Sequence, residues 1–346
     1  MIVEVWGIYP PPIGGVSIHI KRLIIQLNRI ERVILKDFKP KRSYPFDYIF
    51  PVNNPIWEII RLPFIERRLI HVEQFSYALF ALLLLFGWKH KLGFTVHNQR
   101  SVLISSKAKI KLCALFFKRC CFLIMNDGGF KPKFAKFFNL PEEKIHILPA
   151  FLPPNDVERD GLPFAVKEFR QNHEFLISAN AYKLRIDNGV DVYGLDMLIG
   201  LISELRGKGI DAGLLFCLPE VGDIDYYAQI KRRISELQIS KHVFFVEGVN
   251  ANGFEYWEFS DLFIRPTCTD MEGISVKEAL CMGRNVIASD VCIRPKECIL
   301  FKSRNEENFL EKTLSFYRSG KYKTKIEYKD YVDVAKETLK IYKSIG

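Results

Sequence analysis

Asp270 and Glu278 stand eight positions apart in RPTCTDMEGISVKEALCMGRNVIASD, residues 265–290, with Glu272 and the run Gly273-Ile274-Ser275-Val276 between them. Two readings compete for these acids: Glu278 as a helix cap with Asp270 and Glu272 solvated in the loop, or Asp270 and Glu278 gripping hydroxyls on either side of a phosphate held by main-chain N–H groups. The surrounding elements are legible. Residues 261–264 form a short apolar strand and residues 285–288 another. Ser275 and Glu278 have the spacing of a capping box, and Gly283 marks the helix end. The stretch therefore predicts a strand, an acidic loop, a helix and a second strand, with the helix amides at the carboxyl edge of a parallel sheet.

Two other segments carry site-like residues. After a first strand, residues 2–6, the run Tyr9 to His19 holds three prolines and the pair Gly14-Gly15, so no helix begins before Gly15. A helix then runs from about Val16 to Asn28 with Ile20, Leu23, Ile24 and Leu27 on one face. Adjacent glycines at a strand-to-helix turn allow a ligand phosphate to approach the backbone, and Ser17 and His19 lie on the first turns of that helix. Farther on, Gly93 to Arg100 reads as a strand running into a loop, which sets His97, Asn98 and Arg100 at a strand's carboxyl end. His19 and His97 have ordinary structural uses as well, as helix-surface or backbone-bonded residues.

The chain of 346 residues is long enough for two domains, and short apolar runs alternate with amphipathic stretches in both halves, which predicts parallel sheets covered by helices. A helix is expected near residues 55–67 and a mostly buried one over residues 75–88, an uncharged run too short to span a bilayer. The polar run after Pro149 marks a boundary near residue 150. Charge is uneven: residues 1–150 carry a net +13 within an overall +10. Lys107, Lys109, Lys111 and Lys118 lie on one basic amphipathic helix, and a basic, aromatic stretch covers residues 130–138. An anionic membrane surface or a phosphorylated substrate fits that excess, whereas nucleic acid lacks any accompanying binding signature. The eight cysteines have no metal-ligand spacing and are expected as reduced core residues of a cytoplasmic protein, with no metal and no secretory leader.

The 265–290 run resembles the signature of retaining, sugar-nucleotide-dependent glycosyltransferases of family 4, with Asp270 where the first of two glutamates is usual. The Pro-Pro-x-Gly-Gly-Val-Ser-x-His run at residues 11–19 resembles the N-terminal motif of the same family. The resemblance spans nearly the whole chain and implies a GT-B fold, an α/β architecture of two Rossmann-like doubly wound domains facing across a cleft. Residues 1–150 would be the acceptor side, 151–325 the donor domain, and 326–346 a helix crossing back.

It further implies a retaining, metal-independent hexosyltransferase acting in surface polysaccharide assembly, on a glycan or lipid-linked acceptor, at the inner face of the membrane. The nucleotide-diphosphate sugar is then a substrate, and no cofactor is needed. In this reading Asp270 orients the donor sugar, Glu278 takes the ribose hydroxyls, and Glu272 is an alternative partner. Gly14, Gly15, Gly273, Ile274, Ser275 and Val276 line the donor phosphates, His97 lines a sugar, and Ser17, His19, Asn98 and Arg100 lie toward the acceptor. The family's usual arginine and lysine are replaced by Asn180 and Tyr193, so Lys183 or Arg185 would supply the missing charge. A sugar-nucleotide epimerase of the same fold and a non-catalytic glycan-binding or transferase partner remain open alternatives.

Overall fold

A computed structural model describes residues 1–346 apart from 13, 42, 98–105, 249–252, 271–272, 329–330 and 346. The chain forms two compact units, Met1–Leu152 with Tyr331–Gly346, and Pro153–Asp330.

The first unit begins with β1 (Ile2–Gly7), α1 (Gly15–Asn28), β2 (Ile34–Asp37), β3 (Ile49–Pro51) and α2 (Pro55–Ile60). It continues through β4 (Arg68–Val72), α3 (Tyr77–Phe86), β5 (Lys91–Val96), α4 (Lys107–Arg119), β6 (Phe122–Met125), α5 (Lys131–Phe138) and β7 (Ile145–Ile147). Its seven strands are all parallel, in the order β3-β2-β1-β4-β5-β6-β7. Val5, Trp6, Leu69, Ile70, Val72, Leu92 and Phe94 are buried, as a sheet covered on both faces requires. The order reverses between β1 and β4, and that switch point opens a crevice at the strands' carboxyl ends.

Two expected helices are shorter than the periodicity suggested. The 55–67 helix stops at Ile60, because Pro63 belongs to a separate 3-10 turn, Leu62–Phe64. The apolar run at residues 75–88 yields α3 alone. It buries Leu79, Phe80 and Leu83 but leaves Leu85 and Trp88 67% and 64% exposed, so it is not buried on most sides. Phe80 stacks on Phe116 of α4 at 4.0 Å between ring centroids, which pins that inward face.

The second unit contains α6 (Phe164–Gln171), β8 (Phe175–Asn180), β9 (Lys183–Leu184), β10 (Ile186–Asp187), β11 (Val190–Asp191), α7 (Leu195–Gly207), β12 (Ala212–Leu218) and β13 (Glu220–Gly222). There follow α8 (Ile224–Glu236), β14 (Val243–Glu247), α9 (Gly253–Phe259), β15 (Leu262–Arg265), α10 (Ile274–Cys281), β16 (Asn285–Ser289), β17 (Ile299–Phe301) and α11 (Glu306–Arg318). Its main sheet is parallel, in the order β14-β12-β8-β15-β16-β17. Counted from its own first strand this repeats the order of the first unit, with the switch point between β8 and β15. The segment between Asn180 and Tyr193 is not a plain loop: β9 pairs with β13, and β10 and β11 form a small hairpin.

The chain returns to the first unit through α12 (Val334–Ile345), whose Val334, Ala335, Leu339 and Tyr342 share a buried cluster with Ile20, Leu23, Ile24 and Leu27 of α1. No helix among the described residues is long and apolar enough to cross a membrane.

Candidate active site

In the second unit, Asn180 ends β8 and Arg265 ends β15, on the two sides of the switch point. Arg265 donates through Nη1 to both the main-chain and side-chain oxygens of Asn180, at 3.2 and 3.1 Å, and through Nε to Asp270 at 3.1 Å. Arg294 donates to the same Asp270 oxygen at 2.9 Å and to the Ser289 carbonyl at 3.2 Å. Burial pushes the Asp270 carboxyl up, but Arg265 and Arg294 outweigh it and hold the group below its ordinary value. Two guanidiniums share one carboxylate, so this cluster carries one net positive charge.

The cluster adjoins α10, and here one sequence expectation is corrected. Ser275 is not the N-cap: the helix begins at Ile274, behind Gly273 in the left-handed conformation (φ 64°), with no side chain capping it. The Glu278 carboxylate accepts from Trp257 Nε1 at 3.2 Å and is 8% exposed. Arg294 is the physical reason. A Cβ on residue 273 would lie 2.2 Å from its Nη1, so glycine turns the chain where the guanidinium passes and the helix starts two residues earlier than a Ser275 cap would give. The Val276 amide already bonds the Gly273 carbonyl at 2.9 Å. Ile274 and Ser275 are the other amides of this first turn, which have no partner within the helix itself.

The neighbouring start of α7 is closed. The Asp191 carboxylate accepts from the amides of Tyr193 and Leu195 at 2.9 and 2.6 Å and from the Tyr226 hydroxyl at 2.8 Å. An anion therefore has α10, not α7, to settle on. Lys183 lies 4.0 Å from Glu220 and Arg185 3.1 Å from Asp187, both pairs at the surface. Arg265 stands at the two positions where the sequence lacked a cation, bonded to Asn180 and 5.5 Å over the ring of Tyr193. Sequence reading missed Arg265 and Arg294; an arginine ending an apolar strand was the available signal for the first. Glu272 lies outside the described residues.

In the first unit the crevice gathers Glu73, just past β4, His97, just past β5, and His19 on α1. Glu73 is buried and accepts from His97 Nε2 at 2.6 Å and from the Thr95 hydroxyl at 3.0 Å. His71 Nε2 lies 2.7 Å from Thr95 Oγ1, and its Nδ1 lies 2.6 Å from the Tyr342 hydroxyl of α12. Burial pushes His71 down to about 4 despite Glu73, so the ring is neutral near pH 7. Burial also works against an ionised Glu73. His71 beside it and the hydrogen bond from His97 outweigh burial and hold its carboxyl well below the usual range.

Those facts set the direction of every proton. Tyr342 donates to His71, His71 to Thr95, Thr95 to Glu73, and His97 to Glu73 from the other side. His97 is thus held with its proton on Nε2. His19 donates from Nδ1 to the Ala150 carbonyl at 2.8 Å, and its ring meets that of His97 edge-on at 5.2 Å. Both histidines line a small cavity of about 10 Å³ with Glu73. The Gly14 amide donates to Ser17 Oγ at 3.0 Å, and Ser17 donates to the Pro12 carbonyl at 2.6 Å, so Ser17 shapes the turn. A Cβ at Gly14 or Gly15 would meet nothing within 4 Å, and that backbone is open to a ligand. Asn98 and Arg100 lie outside the described residues. Sequence reading missed Glu73, His71 and Tyr342, although a His-Val-Glu ending an apolar strand marked the first two.

The comparisons with known proteins follow this geometry. The model of the family described as glycosyl transferases group 1 matches residues 180–331. No sequence among curated proteins matches the chain. The fold is that of Anabaena HepE solved with UDP, at 12% identity and TM-score 0.69, covering 99% of this chain and 100% of that one. It is also that of a glycosyltransferase from Rickettsia africae, at 15% identity and TM-score 0.70, covering 99% and 98%. WaaG, a glycosyltransferase involved in lipopolysaccharide biosynthesis, matches at 15% identity and TM-score 0.62, covering 98% and 99%. The architecture is GT-B, with two Rossmann-like α/β domains. The matched residues 180–331 take in the switch point, Arg265, Asp270, α10 and Arg294.

Proposed function

We propose that the protein is a retaining glycosyltransferase that moves a sugar from a nucleoside-diphosphate sugar to a glycan or lipid-linked glycan acceptor in the assembly of a surface polysaccharide. One observation carries the reading. Arg265 and Arg294 meet on Asp270 beside a helix start that no side chain caps, so fixed positive charge and helix amides converge at the switch point. HepE, of the same fold, was solved with UDP-glucose as well as with UDP.

In this reading the amides of Ile274 and Ser275, with Arg265, take the charge that builds on the departing diphosphate. Asp270 orients the donor sugar and Glu278 holds the ribose hydroxyls. The bond from the anomeric carbon to the leaving phosphate breaks, and the acceptor oxygen bonds that carbon on the same face. The acceptor's proton passes to the leaving phosphate oxygen. Amides and guanidiniums do the work of a metal, so none is required.

The acceptor side of the proposal rests on the first unit. Trp57 is 64% exposed on α2, Phe64 86% exposed in the turn after it, and Trp88 64% exposed after α3, alongside the basic α4. Exposed indoles and lysines of this kind suit the headgroup region of an anionic membrane.

The test is a thermal-shift screen against UDP-, GDP- and dTDP-sugars, followed by donor hydrolysis and vesicle sedimentation. The proposal expects one base to raise the melting temperature and slow nucleotide release that Asp270→Ala and Glu278→Ala abolish. It also expects anionic vesicles to retain the protein and Trp57→Ser/Trp88→Ser to release it. Conversion of the free nucleotide sugar to its epimer would favour the epimerase reading, and no shift with any donor would overturn the assignment.

A further inference from the structure

A second polar cluster lies at the opposite edge of the second unit's sheet. His173 lies two residues before β8, Asp211 immediately precedes β12, and His242 ends the 3-10 turn that leads into β14. All three sit at the amino ends of their strands, whereas Asn180 and Arg265 mark the carboxyl ends. The mechanism above has no use for them.

Their ligand atoms lie within 4.8 Å of one another. His173 Nε2 and His242 Nδ1 face each other at 3.0 Å, with the rings edge-on at 83°. The remaining nitrogen of His173, Nδ1, lies 2.8 Å from the Phe169 carbonyl. A carbonyl only accepts, so the proton sits on Nδ1 and Nε2 presents a lone pair. This is the outer bond that orients a metal-binding imidazole. The ring is 5% exposed and lies across β12, where a Cβ on Gly213 would meet its Cγ at 2.7 Å. Its position is therefore set by packing before any ligand arrives.

Asp211 accepts from Arg206 on Oδ1 and from the Glu174 amide, at 3.2 Å, on Oδ2, which leaves each oxygen a further lone pair. A groove lined by Phe169, Asn172, Lys241 and His242 reaches the two rings from solvent.

We propose that His173, Asp211 and His242 form a zinc site, with Nε2 of His173, Nδ1 of His242 and one Asp211 oxygen as ligands and a water from the groove as the fourth. Two imidazoles and a carboxylate on a four-coordinate centre suit Zn²⁺. The metal needs His242 to carry its proton on Nε2 instead of Nδ1, a tautomer change of a neutral ring, and needs the Asp211 side chain to swing inward. It would tie together the connections α6–β8, α7–β12 and α8–β14, a structural role on the face remote from the sugar nucleotide.

The experiment uses untagged full-length protein stripped with chelator. Co²⁺ and then Zn²⁺ are titrated into the wild type, His242→Ala and Asp211→Asn, reading the visible Co²⁺ spectrum, the Zn²⁺ affinity by competition, and the melting temperature. The proposal expects one equivalent bound, a spectrum without the near-ultraviolet thiolate band that cysteine ligation gives, and a melting temperature raised by Zn²⁺. Loss of an outer-shell partner costs roughly 10- to 100-fold in affinity, so losing a direct ligand should weaken Zn²⁺ by about 100-fold or more. Equal affinity in wild type and His242→Ala, a thiolate band, or no stoichiometric binding would each overturn it. Both substituted residues are partly exposed, and metal-free stabilities equal to wild type show that the variants fold.

Discussion

Replacing Asp270 by Asn removes the negative charge that two guanidiniums share while nearly preserving shape. Arg265 and Arg294 donate to it at 3.1 and 2.9 Å, and their side chains are 11% and 0% exposed. Removing one partner from a buried ion pair costs about 3–5 kcal/mol, and Asn keeps one acceptor oxygen, so a loss of about 3 kcal/mol in unfolding free energy is expected. The penalty is electrostatic, so an anion in the same place should relieve it. A nucleoside diphosphate should then stabilise Asp270→Asn by more than it stabilises the wild type, even as transfer activity falls.

Urea unfolding with and without the diphosphate measures both quantities. The pH dependence supplies a further check. Asp270 is held below its ordinary value of 3.8, so its contribution is complete above that pH and fades as pH drops through the depressed folded value. The gap between wild type and variant should accordingly be full at pH 7 and shrink in strong acid. A variant as stable as the wild type, or one that gains less from the diphosphate, would refute the reasoning.

Three other outcomes follow from the geometry. Glu73→Gln places an amide donor against either the His97 N–H or the Thr95 hydroxyl, both of which donate to Glu73, so either His97 changes tautomer or the Thr95 hydroxyl turns away and the chain from Tyr342 is broken. Turnover should fall by about 100-fold with an altered pH profile, because Glu73 fixes the orientation and proton of the His97 ring that lines a sugar in the proposed site, and an unchanged profile would reduce Glu73 to a structural role. His71 is lowered to about 4 from 6.5, so the unfolded chain binds its proton more tightly. Stability is complete above pH 6.5 and declines by roughly 3 kcal/mol as pH falls to 4, a slope that His71→Gln should flatten in acid unfolding curves. Gly273→Ala meets Arg294 Nη1 at 2.2 Å in a left-handed conformation. It should cost about 1–3 kcal/mol in denaturant unfolding and abolish the thermal shift from nucleoside diphosphate.

Much of the architecture was readable because β1, β4, β8 and β12 are mostly apolar and helices between them carry an apolar stripe. Period and punctuation suffice for such elements. The helix start at residue 273 was misread because the local Ser-x-x-Glu pattern was outvoted by Arg294, 21 residues downstream, whose passage demands a glycine turn. Long-range partners account for the other gaps as well. Nothing local to Asn180 or Tyr193 shows that Arg265 lies against both, and Glu73 meets Tyr342 through a chain of hydrogen bonds that closes when α12 packs on α1. Asp191, on the hairpin read as loop, likewise shows its capping role only once α7 is in place.

A crystal structure of the protein with a bound nucleoside diphosphate tests the central claim most directly. The account predicts phosphate oxygens within hydrogen-bond distance of the Ile274 and Ser275 amides and of Arg265, with Asp191 still capping α7. Phosphates seated on the start of α7 with Asp191 displaced, or bound away from α10 altogether, would contradict it.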